Sequence, residues 1–220
     1  MPDPDRRTQP TARLWRRVGW VSVIGVLVGC ALVVVALAMS LVVNGSSMEP
    51  TLTNGDRVLV DPRAGLDDVE RFDVVQARVG EGGVSVVKRV IGLPGDEVAI
   101  RPAAQGRALT VWVRTGAQGD WQQVDNAAWQ PQALTRPCCA ADGTVGDRTR
   151  VATVPTGSLF VLGDNLGHSD DSREFGWVPA DRLCGVFVLR LLPLGDAGWL
   201  PREVRLVPAH EAPDEQGSAS

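Results

Sequence analysis

An uninterrupted apolar run near the N-terminus constrains the fold of this chain more than any other feature. From Val18 to Val43 no residue carries a charge, and most residues are Val, Leu, Ile or Ala. About 20 such residues are enough for a helix to cross the hydrocarbon core of a bilayer. The run therefore predicts a single transmembrane anchor at residues 18–43, preceded by a short N-terminal segment at residues 1–17.

The distribution of arginine predicts the orientation of this anchor. Residues 1–17 contain five arginines against two aspartates, and positively charged flanks stay in the cytoplasm. A cleavable secretory signal is the competing interpretation, because Ala36-Leu37-Ala38 offers a small-residue cleavage site. Such signals have an apolar region of only about 7–15 residues. We therefore expect an uncleaved, single-pass anchor in the plasma membrane, with a cytoplasmic N-terminus and an extracytoplasmic C-terminal part.

Beyond the anchor, short segments rich in β-branched and aromatic residues alternate with Gly, Pro, Asp and Asn. No long stretch has the apolar period of a helix. The sequence therefore predicts a mostly β fold, in which an N-terminal transmembrane helix is followed by an extracytoplasmic antiparallel β domain. Strands are expected at residues 57–60, 72–78, 84–91, 97–100, 109–113, 158–162 and 185–192.

The composition of the outer part also suggests its organisation. Residues 44–100 and 156–195 hold the strongest apolar runs and are expected to form a β core. Residues 101–155 are poorer in such runs and are interpreted as an inserted, looser β subdomain. The segment 208–220 is polar and is expected to be disordered.

Charge and cysteine content bear on which partners and cofactors the chain could use. The part beyond the anchor is acidic and has no basic patch for nucleic acid. Adjacent Cys138 and Cys139 are not expected to pair with each other, because disulfide geometry disfavours it. One of them could bridge to Cys184 outside the cytoplasm, while Cys30 is expected to be an apolar filler in the anchor. Neither the cysteine spacing nor the two histidines suggest a zinc site, so no metal or cofactor is expected.

The basic residues contain one informative exception. Lys88 is the sole lysine among 22 basic residues, and it lies in an apolar run beside Arg89. Strand alternation places the two side chains on opposite faces, so one of them faces the apolar side. A buried lysine can lose its proton, which arginine does not, and a neutral amine can act as a general base. The alternative is a salt-bridged or snorkelling lysine at a strand edge.

Two further segments are rich in chemically useful side chains. Residues 45–52, Gly-Ser-Ser-Met-Glu-Pro-Thr-Leu, follow the anchor directly, and residues 162–176 form a dense polar loop after an apolar strand. Each is weak evidence alone, since a serine-rich turn or a loop stabilised by Asx-type hydrogen bonds is common.

Together and in this order, the segments resemble the signature boxes of signal peptidase I. Ser-Met-Glu-Pro-Thr-Leu at 47–52 is similar to the nucleophile box, and Lys-Arg-Val-Ile-Gly-Leu-Pro-Gly-Asp at 88–96 to the lysine box. Gly-Asp-Asn at 163–165 with Ser-Asp-Asp-Ser-Arg at 169–173 resembles the last box. Residues 71–75, Arg-Phe-Asp-Val-Val, resemble the strand box that usually reads Arg-Gly-Asp-Ile-Val. The resemblance covers residues 13–195, and four motifs in series are hard to obtain by chance.

The resemblance implies roles for individual residues. It makes Ser47 the nucleophile, Lys88 the general base and Ser169 the residue that orients the lysine. The remaining residues to which it gives a role are Gly45 and Ser47, whose backbone would form the oxyanion hole, Asp171 and Arg173 as a structural pair, and Met48 and Pro50 as substrate contacts.

The resemblance also implies a substrate. The chain would be a membrane-bound serine endopeptidase that removes signal peptides from translocated preproteins after small residues, in an Ala-x-Ala pattern. Its partners would be these preproteins and membrane lipid, with no cofactor.

Three other interpretations compete with this one. A histidine-based triad would need His168 or His210, and a self-cleaving serine–lysine regulator of the SOS-repressor type would share the chemistry. The transmembrane anchor and the lack of a DNA-binding helix pair argue against the regulator. A catalytically inactive anchored β domain that binds preproteins or an assembly partner is the third, and the retained Ser47, Lys88 and Ser169 argue against it.

Overall fold

The computed structural model describes residues 11–80, 82–101, 109–116, 118–129, 138–146, 149–200 and 203–213. The chain divides into two compact units, Met1–Ser40 and Leu41–Ser220.

The first unit contains one long helix, α1, at Thr11–Ala38. Within it, Gly19–Ala38 has a mean hydropathy of 2.9 and none of it is buried, so its apolar side chains face outward. Among the described residues this is the one helix long and apolar enough to cross a membrane. The helix ends five residues before the apolar run does, because Leu41–Val42 forms a short strand instead.

The second unit is mostly antiparallel β-structure, as the sequence predicts. Its elements are β1 Leu41–Val42, β2 Arg57–Asp61, β3 Val74–Val79, β4 Val84–Gly92, β5 Glu97–Arg101, β6 Thr110–Arg114, β7 Trp121–Asp125, β8 Ala152–Thr153, β9 Ser158–Leu162, the short helix α2 Ser172–Phe175, β10 Val178–Pro179, β11 Leu183–Leu192, β12 Gly198–Trp199 and β13 Arg205–Pro208. The described strands form two sheets. One has the order β1-β2-β11-β3-β4-β9-β10 with β12 beside β11, and the other has the order β13-β7-β6-β5-β8.

Strand β4 has a different environment at each end. Along its length it pairs with β3, from Val84 opposite Val79 to Arg89 opposite Val74. On its other side it pairs with β9 only at its end, beginning at Arg89 opposite Leu162. Among the described strands, none pairs with residues 84–88 on that side. This half-paired strand carries Lys88 at the point where pairing with β9 begins.

The buried end of β4 is closely packed. A Cβ added at Gly92 would lie 2.9 Å from Val154 Cγ2 and 3.0 Å from Val98 Cγ1, so a larger residue could not fit without displacing them. All five residues of β9 are buried beside it. Close packing of this kind resists changes of even one methylene group, so it holds the end of β4 in a fixed position.

A smaller apolar cluster fixes the segment that follows β1. It buries Val43, Met48 and Leu52 against Val58 of β2, Val74 of β3 and Phe187 of β11. Met48 and Leu52 are at most 1% exposed. Burial of such side chains contributes about 1.5–3 kcal/mol each, which anchors the chain on both sides of the serine-rich turn.

The second sheet is wider than the subdomain expected at residues 101–155. It includes β5, which was predicted to belong to the core, and β13 from the C-terminal part of the chain. The proposed division into a core and an inserted subdomain stays a prediction.

The prediction of disorder from Pro208 is wrong for residues 208–213. Pro208 pairs with Gln122, the Ala209 N–H donates to Trp121 O at 3.2 Å, and Trp112 Nε1 donates to Glu211 O at 2.7 Å. These hydrogen bonds fix a polar segment that composition alone suggests is unstructured. Residues 214–220 lie outside the described residues.

The cysteines also differ from expectation. Cys138 and Cys139 form a disulfide with each other, whereas Cys184 and Cys30 are free thiols. Backbone hydrogen bonds join Cys138 to Ile100 and the Cys139 N–H to Arg150 O, which holds both cysteines in the buried core. The tertiary setting of this segment outweighs the general rule about adjacent cysteines.

Candidate active site

Ser47 and Lys88 meet at the half-paired end of β4. Lys88 Nζ lies 2.7 Å from Ser47 Oγ, which is hydrogen-bonding distance, although the residues are 41 positions apart. The lysine is only 4% exposed, while the serine is half-buried. The pair therefore has the geometry that a nucleophile and its general base require.

Burial is the largest influence on the pKa of Lys88. Removal from water lowers the pKa of the Lys88 amine from its ordinary value of 10.5, because the charged form is penalised. The negative charges of Asp171 and Asp170 oppose this, whereas the positive charge of Arg173 adds to it. The net direction is downward, so the neutral amine, which can accept a proton, is favoured more than in an exposed lysine.

Arg89, the neighbour of Lys88, is buried as well. Strand alternation leads one to expect one buried and one exposed side chain, yet Arg89 is only 2% exposed. Its guanidinium donates two hydrogen bonds to Asp164, from Nε to Oδ1 at 2.9 Å and from Nη2 to Oδ2 at 2.6 Å. A third goes from Nη1 to Phe72 O at 2.9 Å. A paired carboxylate makes burial of the second cation possible.

Asp164 and Asn165 attach the serine-rich turn to the end of β9. Thr51 Oγ1 donates to Asp164 Oδ2 at 2.5 Å, and the Asn165 N–H donates to Ser47 O at 3.0 Å. The Asn165 side chain donates to Ser46 O at 3.1 Å. These contacts fix the backbone of Ser46 and Ser47. No role was predicted for Asp164 or Asn165 from the sequence, although both belong to the Gly-Asp-Asn tripeptide of the last motif.

Gly163 lets the loop pass close to this backbone. A Cβ at this position would lie 2.5 Å from Ser47 O and closer still to Ser169 Oγ. Any side chain would displace the backbone of Ser47 or the side chain of Ser169. The glycine is thus required by the close approach, independently of backbone conformation.

Ser169, Asp171 and Arg173 form a hydrogen-bonded group on the far side of this loop. Arg173 donates to both carboxylate oxygens of Asp171, from Nε at 2.7 Å and from Nη2 at 2.8 Å. The fully buried Asp171 also accepts from Gly163 N at 3.0 Å and from Ser169 Oγ at 2.8 Å. Within the described chain, no hydrogen bond joins Ser169 to Lys88. The predicted orienting role of Ser169 therefore stays a prediction.

The backbone amides expected to stabilise an oxyanion differ in availability. Gly45 has φ +100°, and its N–H donates to Asn54 Oδ1 at 3.0 Å. For the Ser47 N–H, the described part of the chain supplies no acceptor. Of the two amides, that of Ser47 is the one available to donate to a developing negative charge.

A cavity of about 320 Å³ opens beside the serine and the lysine. Met48 lines it, whereas exposed Pro50 does not, so a role for Pro50 in substrate contact stays a prediction. Eight of its 14 lining residues have apolar side chains, and the full lining consists of Leu41, Val42, Val43, Asn44, Gly45, Ser47, Met48, Val58, Gln76, Ser85, Val86, Val87, Lys88 and Phe187. Its volume is enough for a few small side chains.

A larger cavity of about 770 Å³ includes neither Ser47 nor Lys88 in its lining. It lies beside Phe72, Val74, Arg89 and Phe187 and carries several carboxylates at its rim. The paired amine and hydroxyl therefore line the smaller of these two cavities.

Among the described residues, no histidine is hydrogen-bonded to Ser47 and no cluster of side chains could hold a metal ion. His168 Nδ1 lies 3.4 Å from Asn165 Oδ1, while the hydrogen-bond partner of Ser47 Oγ is Lys88. The residues described include no group of three or more His, Cys, Asp or Glu side chains that could hold a metal ion.

Comparisons with known proteins agree on one family. Residues 16–192 match the family described as "Signal peptidase, peptidase S26". The chain is 34% identical over 155 residues to a signal peptidase I of Bacillus caldolyticus, covering 69% of this chain and 78% of the relative. It is 30% identical to signal peptidase I V of Bacillus subtilis strain 168, covering 79% and 95%. A probable signal peptidase I-2 of a Synechocystis strain is 27% identical, over 89% and 81%.

Proposed function

Because the chain belongs to the peptidase S26 family of signal peptidases, we propose that it cleaves preproteins with Ser47 as nucleophile and Lys88 as general base. The observation that carries the proposal is the 2.7 Å hydrogen bond between Lys88 Nζ and Ser47 Oγ. Membership of the family makes the chain a peptidase that acts on signal peptides. The roles of Ser47 and Lys88 as the reacting groups are proposed from their hydrogen bond.

The reaction begins with the Ser47 hydroxyl. Its oxygen attacks the carbonyl carbon of the scissile bond while the neutral Lys88 amine accepts the hydroxyl proton. The Ser47 N–H donates to the oxyanion that forms. The carbon–nitrogen bond then breaks, and the Lys88 ammonium gives its proton to the leaving amine. The mature protein leaves as the amine product, and the signal segment stays esterified to Ser47.

A water molecule completes the turnover. Lys88, neutral again, takes a proton from this water as the oxygen attacks the ester carbonyl. Collapse of the second intermediate releases the signal segment as a carboxylic acid, and the proton returns to Ser47 Oγ. The same amine thus serves both half-reactions, as a general base and then as a general acid.

The anchor limits where substrates are met. Ser47 follows the end of α1 at Ala38 by nine residues, and a chain of that length spans at most about 30 Å. We propose that the arginines of residues 1–17 keep the N-terminus in the cytoplasm, which leaves the catalytic unit outside. A substrate whose signal segment still lies in the bilayer is then presented at the surface where the nucleophile works.

The small volume of the cavity beside Ser47 favours cleavage after small residues. Met48 and Val43 are buried in the cluster that backs this cavity, so its wall is fixed by packing. A short side chain fills such a space, whereas a large one would have to displace core residues. An Ala-x-Ala sequence before the cleaved bond meets this requirement.

The proposal is tested by incubating the detergent-solubilised full chain with a preprotein that carries an Ala-x-Ala site and mapping the cleaved bond by mass spectrometry. We expect one cut after the second Ala, and none with Ser47→Ala. Folding of that variant is checked by tryptophan fluorescence. Cleavage elsewhere, or full activity of Ser47→Ala, would contradict the proposal. The inactive-binder alternative predicts no cut and no labelling of Ser47 by a serine-directed acylating inhibitor.

A further inference from the structure

The turn after β7 reaches from the second sheet to the loop that holds Ser47. Asn126 follows β7 directly, and Ala127–Trp129 form one short turn of 3₁₀ helix. Asn126 Oδ1 accepts from the Ala128 N–H at 3.0 Å, and Asn126 O accepts from the Trp129 N–H at 3.0 Å. Local hydrogen bonds of this kind give a turn a defined backbone shape. The side chains of Asn126 and Trp129 therefore leave the turn in set directions.

Both side chains donate hydrogen bonds to the Gly163-Asp164 segment. Trp129 Nε1 donates to Gly163 O at 3.2 Å, and Asn126 Nδ2 donates to Asp164 Oδ1 at 3.2 Å. Trp129 is 5% exposed and Asn126 is 8% exposed. A buried hydrogen bond is costly to lose, because the acceptor loses a partner that water does not readily replace. The two contacts therefore fix the segment through both its backbone and its side chain.

The Gly163-Asp164 segment lies against the backbone of the nucleophile. The next amide, that of Asn165, donates to Ser47 O at 3.0 Å. A Cβ at Gly163 would come within 2.5 Å of the same oxygen, so the two backbones are already in close contact. Closely packed interiors transmit such displacements. A shift of the segment therefore moves Ser47, whose hydroxyl oxygen lies 2.7 Å from Lys88 Nζ.

We infer that Trp129 and Asn126 are positioning residues for the reaction. By holding the Gly163-Asp164 segment, they keep Ser47 Oγ within hydrogen-bonding distance of Lys88 Nζ. The inference rests on the proposed function, because it concerns the same reacting groups. Neither positioning residue is among those that line the cavity beside Ser47. Their loss should slow the reaction more than it weakens substrate binding, since a small displacement of reacting atoms has a large effect on rate.

Two buried tryptophans allow a matched test. Trp112 is 1% exposed, and its Nε1 donates to Glu211 O in the C-terminal segment at 2.7 Å. Trp129→Phe and Trp112→Phe each keep an aromatic ring and each lose one indole hydrogen bond. With the Ala-x-Ala preprotein and the full chain in detergent, we expect kcat to fall about tenfold in Trp129→Phe, with KM changed less than about twofold. Trp112→Phe should keep the wild-type kcat.

Asn126→Asp tests the second contact. Its carboxylate still accepts from the Ala128 N–H, so the turn keeps its internal hydrogen bond. An ionised carboxylate does not donate to Asp164, and it places a second negative charge beside it. We expect kcat to fall about tenfold or more in this variant, again with little change in KM.

The single lysine supplies a signal that a purely structural role would leave unchanged. After ¹⁵N labelling of lysine, the side-chain nitrogen of Lys88 reports its contact with Ser47 Oγ. Its NMR signal should shift in Trp129→Phe in the same direction as in Ser47→Ala. It should keep its wild-type position in Trp112→Phe. Urea denaturation of the two tryptophan variants shows whether their stability falls alike.

Equal kcat values for Trp129→Phe and Trp112→Phe, or an unshifted lysine signal in Trp129→Phe, would overturn the inference while wild-type cleavage upholds the proposed function. If one of Trp129→Phe and Asn126→Asp does not fold, the other decides by the same two readouts. If neither folds while Trp112→Phe does, the contacts serve the fold alone and the inference is overturned. An active Ser47→Ala enzyme would overturn both the inference and the proposed function.

Discussion

Lys88 and Arg89 are adjacent basic residues on one strand, and both are almost fully buried. Arg89 donates two hydrogen bonds to the fully buried carboxylate of Asp164, so its charge is balanced where it lies. The hydrogen-bond partner of Lys88 is instead the neutral hydroxyl of Ser47. Asp170 and Asp171 act on the lysine through their charge, with no hydrogen bond to it among the described residues.

This difference shows how one strand can hold both a structural ion pair and a reactive amine. A buried cation with a bidentate carboxylate partner keeps its charge and holds two segments together. When a buried amine has only a hydroxyl as its partner, the folded state is more stable with the amine neutral. The neutral amine is also the form that can take a proton from serine. The two positions should therefore respond in opposite ways to the same substitution.

The largest expected effect is on activity at Lys88. Lys88→Met keeps the aliphatic stem but removes the base, so kcat/KM should fall about 10³-fold or more. The free energy of unfolding near neutral pH should not fall, because no buried charge loses its partner. Turnover is measured with the Ala-x-Ala preprotein and stability by urea denaturation. Retained activity of Lys88→Met, or its failure to fold, would contradict the assigned difference between Lys88 and Arg89.

The largest expected effect on stability is at Arg89. Arg89→Met leaves the buried Asp164 carboxylate without its ion-pair partner, so the free energy of unfolding should fall by about 3–5 kcal/mol. Arg205→Met is the matched control, since Arg205 pairs with Asp125 at the surface and should cost about 1 kcal/mol or less. Urea denaturation of both variants measures the difference. Equal effects at Arg89 and Arg205 would show that burial of the pair is unimportant.

The pH dependence of the free energy of unfolding should distinguish Lys88 from Arg89 further. The pKa of Lys88 lies below 10.5 in the folded state, so the unfolded chain binds more protons between these two pKa values. Stability of the wild type should rise with pH through that window, as the cost of burying the ammonium disappears. The stability difference between Lys88→Met and the wild type should shrink over the same range. A difference that is constant with pH would contradict the shift.

The pH dependence of kcat/KM should reflect the titration of Lys88 as well. Because the neutral amine is required, kcat/KM should be lost as pH falls through the folded-state pKa of Lys88 and retained above it. Asp170→Asn should move this acidic limb to lower pH, since the charge of Asp170 raises the pKa of Lys88. This is the smallest effect, because Asp170 is exposed and screened by salt. Asp120→Asn, an exposed site in the second-sheet region, should leave the limb in place.

The sequence predicts the parts of this arrangement that depend on local pattern. The apolar run locates the candidate span, β-branched segments locate seven of the strands, and the isolated lysine in such a segment indicates a special environment. Strands β7 and β13 were missed because they are short and lack a clear apolar alternation, and each is held by pairing with a strand distant in sequence. Local composition carries no information about such long-range pairing.

The site is predicted unevenly for the same reason. Ser47 and Lys88 stand in recognisable motifs, and the structure records a hydrogen bond between them. The attachment of the serine turn by Asn165 was not foreseen, because it depends on main-chain oxygens, which sequence motifs do not reveal. The disulfide between Cys138 and Cys139 was likewise not foreseen, because the backbone contacts that hold both cysteines come from Ile100 and Arg150, which lie elsewhere in the chain.

The protonation of Lys88 can be measured directly because the chain has one lysine. Selective ¹⁵N labelling of lysine therefore gives a single side-chain nitrogen signal, which can be followed by NMR from neutral to alkaline pH in detergent. Loss of the proton should occur with a midpoint below 10.5, and in Ser47→Ala the signal should shift because its hydrogen-bond partner is gone. A midpoint at or above 10.5, with a signal unchanged by Ser47→Ala, would contradict the account.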